Sequence, residues 1–339
     1  MKTAIIGLGA MGRRHLAAVA SFPSLQLVAV CDSQPVALEF AGLSAGVARF
    51  TDSAGLFREA RPELVIIATT APSHQRLVED AVRAGARAIL CEKPIACSLS
   101  AARRMISLCA EHDVRLAVNH CRRHVPAYRW LRTRICSGDW GQLRAIRIAS
   151  PGIGLGCLAT HFVDLMRFVS GQEWLHLSGW VDPERGSNPR GSQFHDPGGL
   201  IVAEGDGGAR FIHQQVEDAA GPASIVIDLT GARVVVEERE GLVDILWRDR
   251  SVKPGPGVPL RFEPVVPPRE AVLDLNLISL TAQALQELAS DGALTCAAEH
   301  GYRSLEAVVA AYLSHWQGHT PVALPLNSLE ALECELPIT

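Results

Sequence analysis

Short apolar runs alternate with helical stretches along residues 1–119, and this alternation restricts the fold more than any other feature of the sequence. The runs are continuously apolar, which is typical of strands buried on both faces of a parallel sheet. One helical pattern between them begins near Pro72 and ends at Gly85. Repeated strand–helix units predict an α/β fold with a doubly wound parallel sheet. The predicted strands span residues 3–8, 25–32, 63–70, 86–92 and 114–119.

The first predicted strand runs directly into GLGAMG, which matches the pattern G-x-G-x-x-G. The pattern is common, but here it follows a strand and opens the helical run RRHLAAVA, the context of a dinucleotide-binding Rossmann fold. Gly7 allows the tight turn, Gly9 lets the backbone approach a pyrophosphate, and Gly12 lets helix and strand pack closely. A glycine-rich turn without a ligand is the alternative. The candidate cofactor contacts in the motif are Gly7, Leu8, Gly9, Ala10, Met11 and Gly12.

Asp32 ends the second predicted strand, 25 residues after Gly7. An acidic residue at this place hydrogen-bonds the ribose 2′-hydroxyl of NAD and repels the 2′-phosphate of NADP. We therefore expect NAD, with Asp32 and Ser33 beside the ribose. Ser33, Arg13 and Arg14 keep NADP as an alternative, and a strand-end aspartate without a ligand is another.

Polar side chains follow the later predicted strands at their carboxyl ends, where ligands bind in such sheets. The segment 69–74, TTAPSH, suits a helix that begins over the cofactor, although its histidine fits a surface position equally well. In CEKP, residues 91–94, the lysine is placed to polarise a hydroxyl or carbonyl near a nicotinamide; a Glu–Lys surface pair is the alternative. Asn119 and His120 end the last of these strands, where they would contact nicotinamide or substrate. The candidate cofactor contacts in these segments are Thr69, Thr70, Pro72, His74, Glu92, Lys93 and His120.

The pattern changes after Arg122. A helix is expected over residues 125–138 and a strand over residues 142–150. Turn signals then divide residues 200–216 and 224–238 into pairs of strands, as in β-hairpins. The second half of the chain therefore predicts an α+β domain with an open, mainly antiparallel sheet.

Gly/Pro-rich runs predict loops over residues 182–199 and 253–268. Two late helices are expected at about 270–290 and 300–316. We expect three parts along the chain: an NAD(P)-binding Rossmann domain at 1–121, a substrate-binding and oligomerisation α+β domain at 122–323, and a C-terminal tail at 324–339.

Composition restricts the class of partner. Lys plus Arg number 32 and Asp plus Glu 36, and a net charge of −4 provides no attraction to nucleic acid or an anionic membrane. We expect no signal peptide, because the N-terminus lacks the long apolar core and small-residue cleavage site of one, and no apolar run approaches the ~18–20 residues of a membrane span. Nine cysteines without a C-x-x-C pair indicate reduced thiols in a cytoplasmic protein. The pairs His120–His124 and His315–His319 lack a third ligand, so we expect no metal site.

The run GLGCLATHFVD, residues 154–164, places a histidine inside an apolar stretch. If the run is helical, Cys157, His161 and Asp164 share one face, because residues three and four apart are neighbours on a helix. A histidine in such a setting is more often a satisfied core residue than a proton-transfer group.

The chain resembles the glucose-fructose oxidoreductase/inositol dehydrogenase (Gfo/Idh/MocA) family of nicotinamide-dependent enzymes over nearly its whole length. The resemblance rests on AIIGLGAMGRRH, VAVCD, IIATTAPSH, CEKPIACSLSAARRM, VNHCRRHVPAY and THFVDLMRFVSG. EKP followed by a helix-borne H-x-x-D at this distance is much more specific than the glycine motif. The resemblance implies that Lys93 lies in the active site against cofactor and substrate, and that His161 transfers a proton or positions the substrate. Asp164 matches the family's aspartate.

One position departs from the inositol-dehydrogenase type. Members of that type carry an aspartate four residues before the histidine, and here that position is Cys157. A thiol supplies no fixed negative charge at pH 7 unless its pKa is lowered. The segment resembles members that act on nucleotide-linked or acidic sugars in surface-polysaccharide pathways. Arg122 and Arg123 fit such a substrate, because arginine binds carboxylate and phosphate in a bidentate way; an interdomain salt bridge is the alternative.

The resemblance therefore implies an NAD(P)-dependent oxidoreductase that transfers a hydride between nicotinamide and a hydroxyl or keto carbon of a sugar, with a nucleotide-linked or acidic sugar preferred. The candidate substrate contacts are Asn119, Arg122, Arg123, Cys157 and Asp164. Alternatives are an inositol, polyol or aldose dehydrogenase, a redox-neutral epimerase or glycosidase with tightly held NAD, and a non-catalytic NAD-binding sensor. The family also implies a homodimer or homotetramer.

Overall fold

The computed structural model describes residues 1–39, 42–44, 46–152, 154–183, 188, 190–216, 221–238, 242–248, 256 and 261–338. The chain divides into two compact units. The first unit consists of Met1–His124, Asn276–Leu305 and Leu332–Thr339, and the second of Val125–Leu275 and Glu306–Ala331.

The first unit is built on a six-stranded, all-parallel sheet with the order β3-β2-β1-β4-β5-β6. This is the doubly wound order of a dinucleotide-binding fold, as expected from the buried apolar runs. The strands are β1 Lys2–Ile6, β2 Gln26–Cys31, β3 Ala48–Phe50, β4 Leu64–Ile67, β5 Ala88–Cys91 and β6 Arg115–Val118. The short strand β3 was not among the predicted strands, because three residues carry too little apolar pattern.

Four helices connect these strands: α1 Ala10–Ala20, α2 Ser53–Ala60, α3 His74–Arg83 and α4 Leu99–Glu111. A later helix, α7 Leu277–Leu288, belongs to the same unit and packs against α1 and the strands β5 and β6. Its Leu285 and Leu288 join the core formed by side chains such as Ile5 and Leu90. The expected domain boundary at residue 121 lies close to the break after His124, but the unit also takes in residues 276–305, which the sequence analysis assigned to the second domain.

The second unit contains a nine-stranded sheet with the order β14-β13-β12-β11-β7-β10-β9-β8-β15. All neighbouring pairs are antiparallel except β7 and β10, which are parallel, so the expected open, mainly antiparallel sheet is confirmed. The strands are β7 Leu143–Pro151, β8 Trp174–Val181, β9 Gly199–Gly205, β10 Arg210–Val216, β11 Ser224–Leu229, β12 Ala232–Glu237, β13 Leu242–Arg248, β14 Phe262–Pro264 and β15 Val322–Ala323.

The predicted hairpins are found as β9–β10 and β11–β12. Strands β8, β13 and β15 were not predicted, and the short strand β14 lies inside an expected loop. The expected loops at 182–199 and 253–268 fall partly outside the described residues.

Helices α5 Pro126–Cys136 and α6 Thr160–Ser170 pack against each other, and α6 contacts β7 and β10. Helix α8, Ala298–Trp316, contributes residues to both units, and α9 spans Leu329–Glu333. In the described part of the chain, no helix is long and apolar enough to cross a membrane. None of the nine cysteines, which all lie among the described residues, forms a disulfide.

Candidate active site

The glycine loop between β1 and α1 needs two of its three glycines for internal packing. Gly7 has φ +92°, and a Cβ on it would lie 2.6 Å from the carbonyl oxygen of Ala68. A Cβ on Gly12 would lie 1.9 Å from the carbonyl oxygen of Gly7. Gly9 is different, because it is exposed and no described atom lies within 4 Å of the place its Cβ would take. No packing contact in the described chain therefore requires glycine at position 9. A ligand that approaches the backbone there would require it.

Gly9 is also the N-cap residue directly before α1, and no side chain caps the helix there. The first turn of α1 contains no acidic residue. Free backbone N–H groups and the positive end of the helix dipole together suit an anion such as a pyrophosphate. The residues at this end of the sheet thus fit a dinucleotide.

The carboxylate of Asp32 is fixed next to this loop. Its Oδ2 accepts the backbone N–H of Leu8 at 2.7 Å, and its Oδ1 accepts the backbone N–H of Gln34 at 2.9 Å. Asp32 stays half-buried, and Ser33 beside it is exposed. The predicted ribose contacts therefore lie at the same edge of the sheet as Gly9.

His74 was expected either at the cofactor or on the surface, and the structure supports neither. The side chain is completely buried, and burial lowers its pKa below the ordinary value although nearby carbonyl groups oppose the change. Its Nδ1 lies 3.1 Å from the carbonyl oxygen of Pro94 and its Nε2 lies 3.1 Å from that of Thr69. His74 thus joins the loop after β4 to the loop that follows Lys93, while Thr70 and Pro72 of its own segment are exposed.

The segment after β5 separates a buried acid from a more accessible lysine. Glu92, Asn119 and His120 are 5%, 2% and 1% exposed, whereas Lys93 is half-buried. Glu92 Oε1 lies 2.8 Å from Nε2 of His15 and accepts a hydrogen bond from Nδ2 of Asn119 at 2.9 Å. Glu92, Asn119 and His120 were each predicted to contact the cofactor or the substrate. Their buried side chains are poorly placed for such a direct contact.

The two arginines after β6 also differ from each other. Arg123 is buried, and its guanidinium donates to the carbonyl oxygen of Thr295 at 3.4 Å, so its predicted contact with a substrate is not favoured. Arg122 is half-buried. Among the described residues, no group of three His, Cys, Asp or Glu side chains could hold a metal ion.

The second unit carries the histidine segment. Residues Leu155–Ala159 form a π-helical turn that continues into α6, so the predicted helix is present with a wider first turn. Cys157 and His161 are half-buried, whereas Asp164 has no exposed surface. The buried carboxyl group of Asp164 presents no surface to solvent, and its expected contact with the substrate stays a prediction.

A buried aspartate that the sequence analysis missed holds the start of this turn. The Oδ1 of Asp196 accepts the backbone N–H of Gly156, and its Oδ2 accepts that of Cys157, each at 2.7 Å. Gly154 precedes the turn with φ +103°, and a Cβ there would lie 2.4 Å from the carbonyl oxygen of Asp196. Asp196 lies 40 residues further along the chain in a Gly/Pro-rich run, where no local pattern distinguishes it. His15 was also missed, although a polar residue on the buried face of α1 was a readable signal.

Lys93 belongs to the first unit and His161 to the second.

Comparisons with known proteins agree with this geometry. Residues 1–120 match the model of the oxidoreductase family with an NAD-binding Rossmann fold, Gfo/Idh/MocA. A D-apiose dehydrogenase of Paraburkholderia graminis is 34% identical over 187 residues, which are 50% of each chain. An inositol 2-dehydrogenase of Rhizobium meliloti is 30% identical over 183 residues, 50% of this chain and 54% of the relative. The chain thus spans about half the length of these relatives.

Two solved structures share the fold along the chain. The WlbA dehydrogenase of Bordetella pertussis, in complex with NADH and UDP-GlcNAcA, superposes with a TM-score of 0.78 at 19% identity, covering 96% of this chain and 99% of that one. An Agrobacterium radiobacter oxidoreductase in complex with NAD⁺, L-tartaric acid and magnesium gives 0.77 at 21% identity, covering 95% and 98%. The family match over residues 1–120 and the named relatives agree with the resemblance seen in the sequence: the first 120 residues match the NAD-binding Rossmann fold of the Gfo/Idh/MocA oxidoreductase family.

Proposed function

We propose that the protein is an NAD-dependent oxidoreductase that transfers a hydride between nicotinamide and a CH–OH carbon of a sugar. One edge of the parallel sheet supports this most directly, because Gly9, Asp32 and Lys93 all follow carboxyl ends of its strands. Open backbone for a pyrophosphate, a carboxylate for a ribose hydroxyl and a lysine for the reacting oxygen are the groups that such an enzyme needs.

A nicotinamide dinucleotide held at Gly9 and Asp32 would supply the hydride acceptor for the substrate carbon. The Lys93 ammonium donates a hydrogen bond to the substrate oxygen and stabilises the negative charge that develops there. His161 takes the hydroxyl proton, and returns it in the reverse direction. Asp164 is buried one turn along the same helix, so we assign it a positioning role for α6 in place of substrate contact.

The first candidate substrate is a nucleotide-linked or acidic sugar of a polysaccharide pathway. The structural likeness to an enzyme in complex with a UDP-linked sugar acid is compatible with it. Arg122 is the remaining candidate for the anionic group, because Arg123 is buried against Thr295.

The second candidate is a free aldose or polyol. The relatives named D-apiose dehydrogenase and inositol 2-dehydrogenase favour it. Cys157, where inositol-type members carry aspartate, argues for an aldose over inositol. A redox-neutral reaction with retained NAD would be recognised by cofactor that survives purification and by turnover without net NADH formation.

Absorbance of NADH across nucleotide sugars, sugar acids, aldoses and inositols tests the proposal and distinguishes these substrates. We expect Lys93→Met to abolish turnover of the best substrate while the NAD dissociation constant changes less than about threefold. Lys2→Met, at an exposed lysine of the same unit, is the matched control and should keep full turnover. Turnover near the wild-type level in Lys93→Met would overturn the assignment.

We also propose that the second unit binds the substrate and that its sheet mediates a homodimer or homotetramer. The support is a set of large apolar side chains that the strands leave exposed. These are Leu175 and Trp180 in β8, Leu246 in β13 and Phe262 in β14. Light scattering after gel filtration would measure the molar mass of the assembly. The double variant Leu246→Glu with Phe262→Glu should have a lower molar mass if these side chains lie in the interface.

A further inference from the structure

A buried carboxylate lies between α1 and the loop that carries Lys93. Glu92 is 5% exposed, and its Oε1 is held by His15 Nε2 at 2.8 Å and by Asn119 Nδ2 at 2.9 Å. Its second oxygen, Oε2, lies 3.4 Å from the backbone nitrogen of Lys93. One side chain therefore joins three elements: α1, the segment after β5 and the end of β6.

Burial of this charged carboxylate costs free energy of folding, so stability alone does not explain its presence. Taking an ionised carboxylate out of water costs several kcal/mol, and an apolar side chain of similar volume often replaces a buried ionic group without loss of stability. Burial alone would raise the pKa of Glu92, but the contact with His15, the charge of Lys93 and the Asn119 hydrogen bond lower it to about 2. Glu92 therefore carries a full negative charge next to Lys93 throughout the neutral range.

His15 supplies a hydrogen bond to this carboxylate. Its Nδ1 has no hydrogen-bond partner among the residues that the structure describes, and it is buried. Because the Glu92 carboxylate is ionised, it accepts in the 2.8 Å contact and the Nε2 N–H of His15 donates. The other titratable groups near the carboxylate are His74, Cys91 and Lys93, and the fully buried Cys91 thiol has its pKa raised well above the ordinary value.

We propose that His15 is a positioning residue for Lys93 and acts through Glu92. The inference rests on the proposed function in one respect, that Lys93 acts on the substrate oxygen. His15 lies three residues after Gly12 in α1, and the open backbone at Gly9 is the N-cap of the same helix. The helix that fits the pyrophosphate is thus tied directly to the residue before Lys93, and the fixed carboxylate keeps a negative charge beside that lysine.

A substrate-independent test measures how fast Lys93 reacts with acetic anhydride as a function of pH, with the Lys93 peptide quantified by mass spectrometry. Only the uncharged amine reacts, so the midpoint reports the proton on Lys93. We expect Glu92→Gln to move the midpoint down by about one pH unit, because a nearby opposite charge favours the ammonium form. We expect His15→Leu to move it in the same direction by a smaller amount, since the carboxylate loses a donor and is no longer fixed. His15→Gln, whose side-chain N–H₂ still reaches the acid, should restore the wild-type midpoint.

Kinetics give the second readout. With the best substrate of the panel, His15→Leu should lower kcat about tenfold or more and leave the KM for NAD within about threefold, and His15→Gln should recover most of kcat. His112→Leu, at an exposed histidine of the same unit, is the matched control and should match the wild type in both readouts. Thermal midpoints and NAD binding show that each variant is folded.

A His15→Leu protein that is folded and has a wild-type acylation midpoint and kcat would overturn the proposal, as would failure of His15→Gln to restore them. If His15→Leu does not fold, Glu92→Gln decides, and an unchanged midpoint in that variant overturns the proposal. Failure of the proposed function would look different: Lys93→Met would keep its turnover, while the acylation profiles would still report whether His15 and Glu92 control Lys93.

Discussion

The carboxylate of Asp32 accepts the backbone N–H of Leu8 at 2.7 Å, so the acid at the end of β2 also holds the glycine loop in place. The same side chain accepts the backbone N–H of Gln34 at 2.9 Å. Charge-assisted hydrogen bonds of this kind are about twice as strong as neutral ones. Asp32 therefore helps to shape the loop, and the ribose contact proposed for it would be a second role.

We expect Asp32→Ala to weaken NAD binding about 10- to 100-fold, which corresponds to roughly 1.5–3 kcal/mol for the lost charged hydrogen bonds. Calorimetric titration with NAD and NADP measures this, and the preference for NAD over NADP should shrink because the 2′-phosphate is no longer repelled. Asp139→Ala, at an exposed aspartate, is the control. Unchanged NAD affinity in Asp32→Ala would show that this carboxylate has no ribose role.

Gly9 and Gly12 should respond to alanine in opposite ways. Gly12→Ala places a methyl group 1.9 Å from the carbonyl oxygen of Gly7, so we expect a loss of about 1–3 kcal/mol in the free energy of unfolding. Gly9→Ala meets no described atom, so the thermal midpoint should stay nearly constant while NAD affinity falls at least about tenfold. Gly46→Ala, which is equally unobstructed, should change neither quantity. Normal NAD binding by a folded Gly9→Ala protein would contradict the placement of the pyrophosphate.

Asp196 should stabilise the start of the histidine segment in the second unit. Asp196→Ala removes the acceptor of two backbone N–H groups, and helix-capping losses of this type cost about 0.5–2 kcal/mol. Because Cys157 and His161 follow in the same segment, we expect kcat to fall as well. Urea unfolding and initial rates measure the two effects, with Asp206→Ala at an exposed turn as the control. Lost stability with unchanged kcat would separate Asp196 from the positioning of His161.

The buried histidine of β10, His213, should make the protein sensitive to acid. Burial lowers the pKa of His213 to about 3. The Nε2 atom of its ring lies 3.1 Å from the hydroxyl oxygen of Ser150, within hydrogen-bond distance. Between the ordinary value near 6.5 and that lower value, the unfolded chain binds a proton that the folded protein excludes, so stability falls as the pH decreases through this window. Between pH 7 and pH 5 the loss is about 2 kcal/mol for this side chain.

His213→Gln keeps a hydrogen-bonding group beside Ser150 without the titration, so its free energy of unfolding should change less with pH than that of the wild type. Urea unfolding at pH 7, 6 and 5 measures the slope. His176→Gln, at an exposed histidine, should leave the slope unchanged. An equal slope in His213→Gln would show that this ring does not titrate on unfolding.

Local patterns in the sequence were sufficient for the parallel sheet and the cofactor end. A buried parallel strand is a continuous apolar run, and the glycines and Asp32 are read from their spacing to such a strand. The same reasoning fails for residues whose surroundings come from distant parts of the chain. The buried ring of His74 contacts carbonyl oxygens of residues that lie about 20 positions further along the chain. Nothing in TTAPSH predicts that contact.

The sequence by itself therefore determined the fold class, the family resemblance, the glycine loop and the place of Asp32, because these depend on short-range periodicity and spacing. Only the tertiary structure decided that α7 packs on the parallel sheet, that Glu92, Asp164 and Arg123 are buried, and that Lys93 is half-buried. It also revealed His15 beside Glu92, 77 residues apart, and Asp196 at the start of the histidine segment. Burial and pairing depend on which distant segments fold against a side chain, and that information is spread over the whole chain.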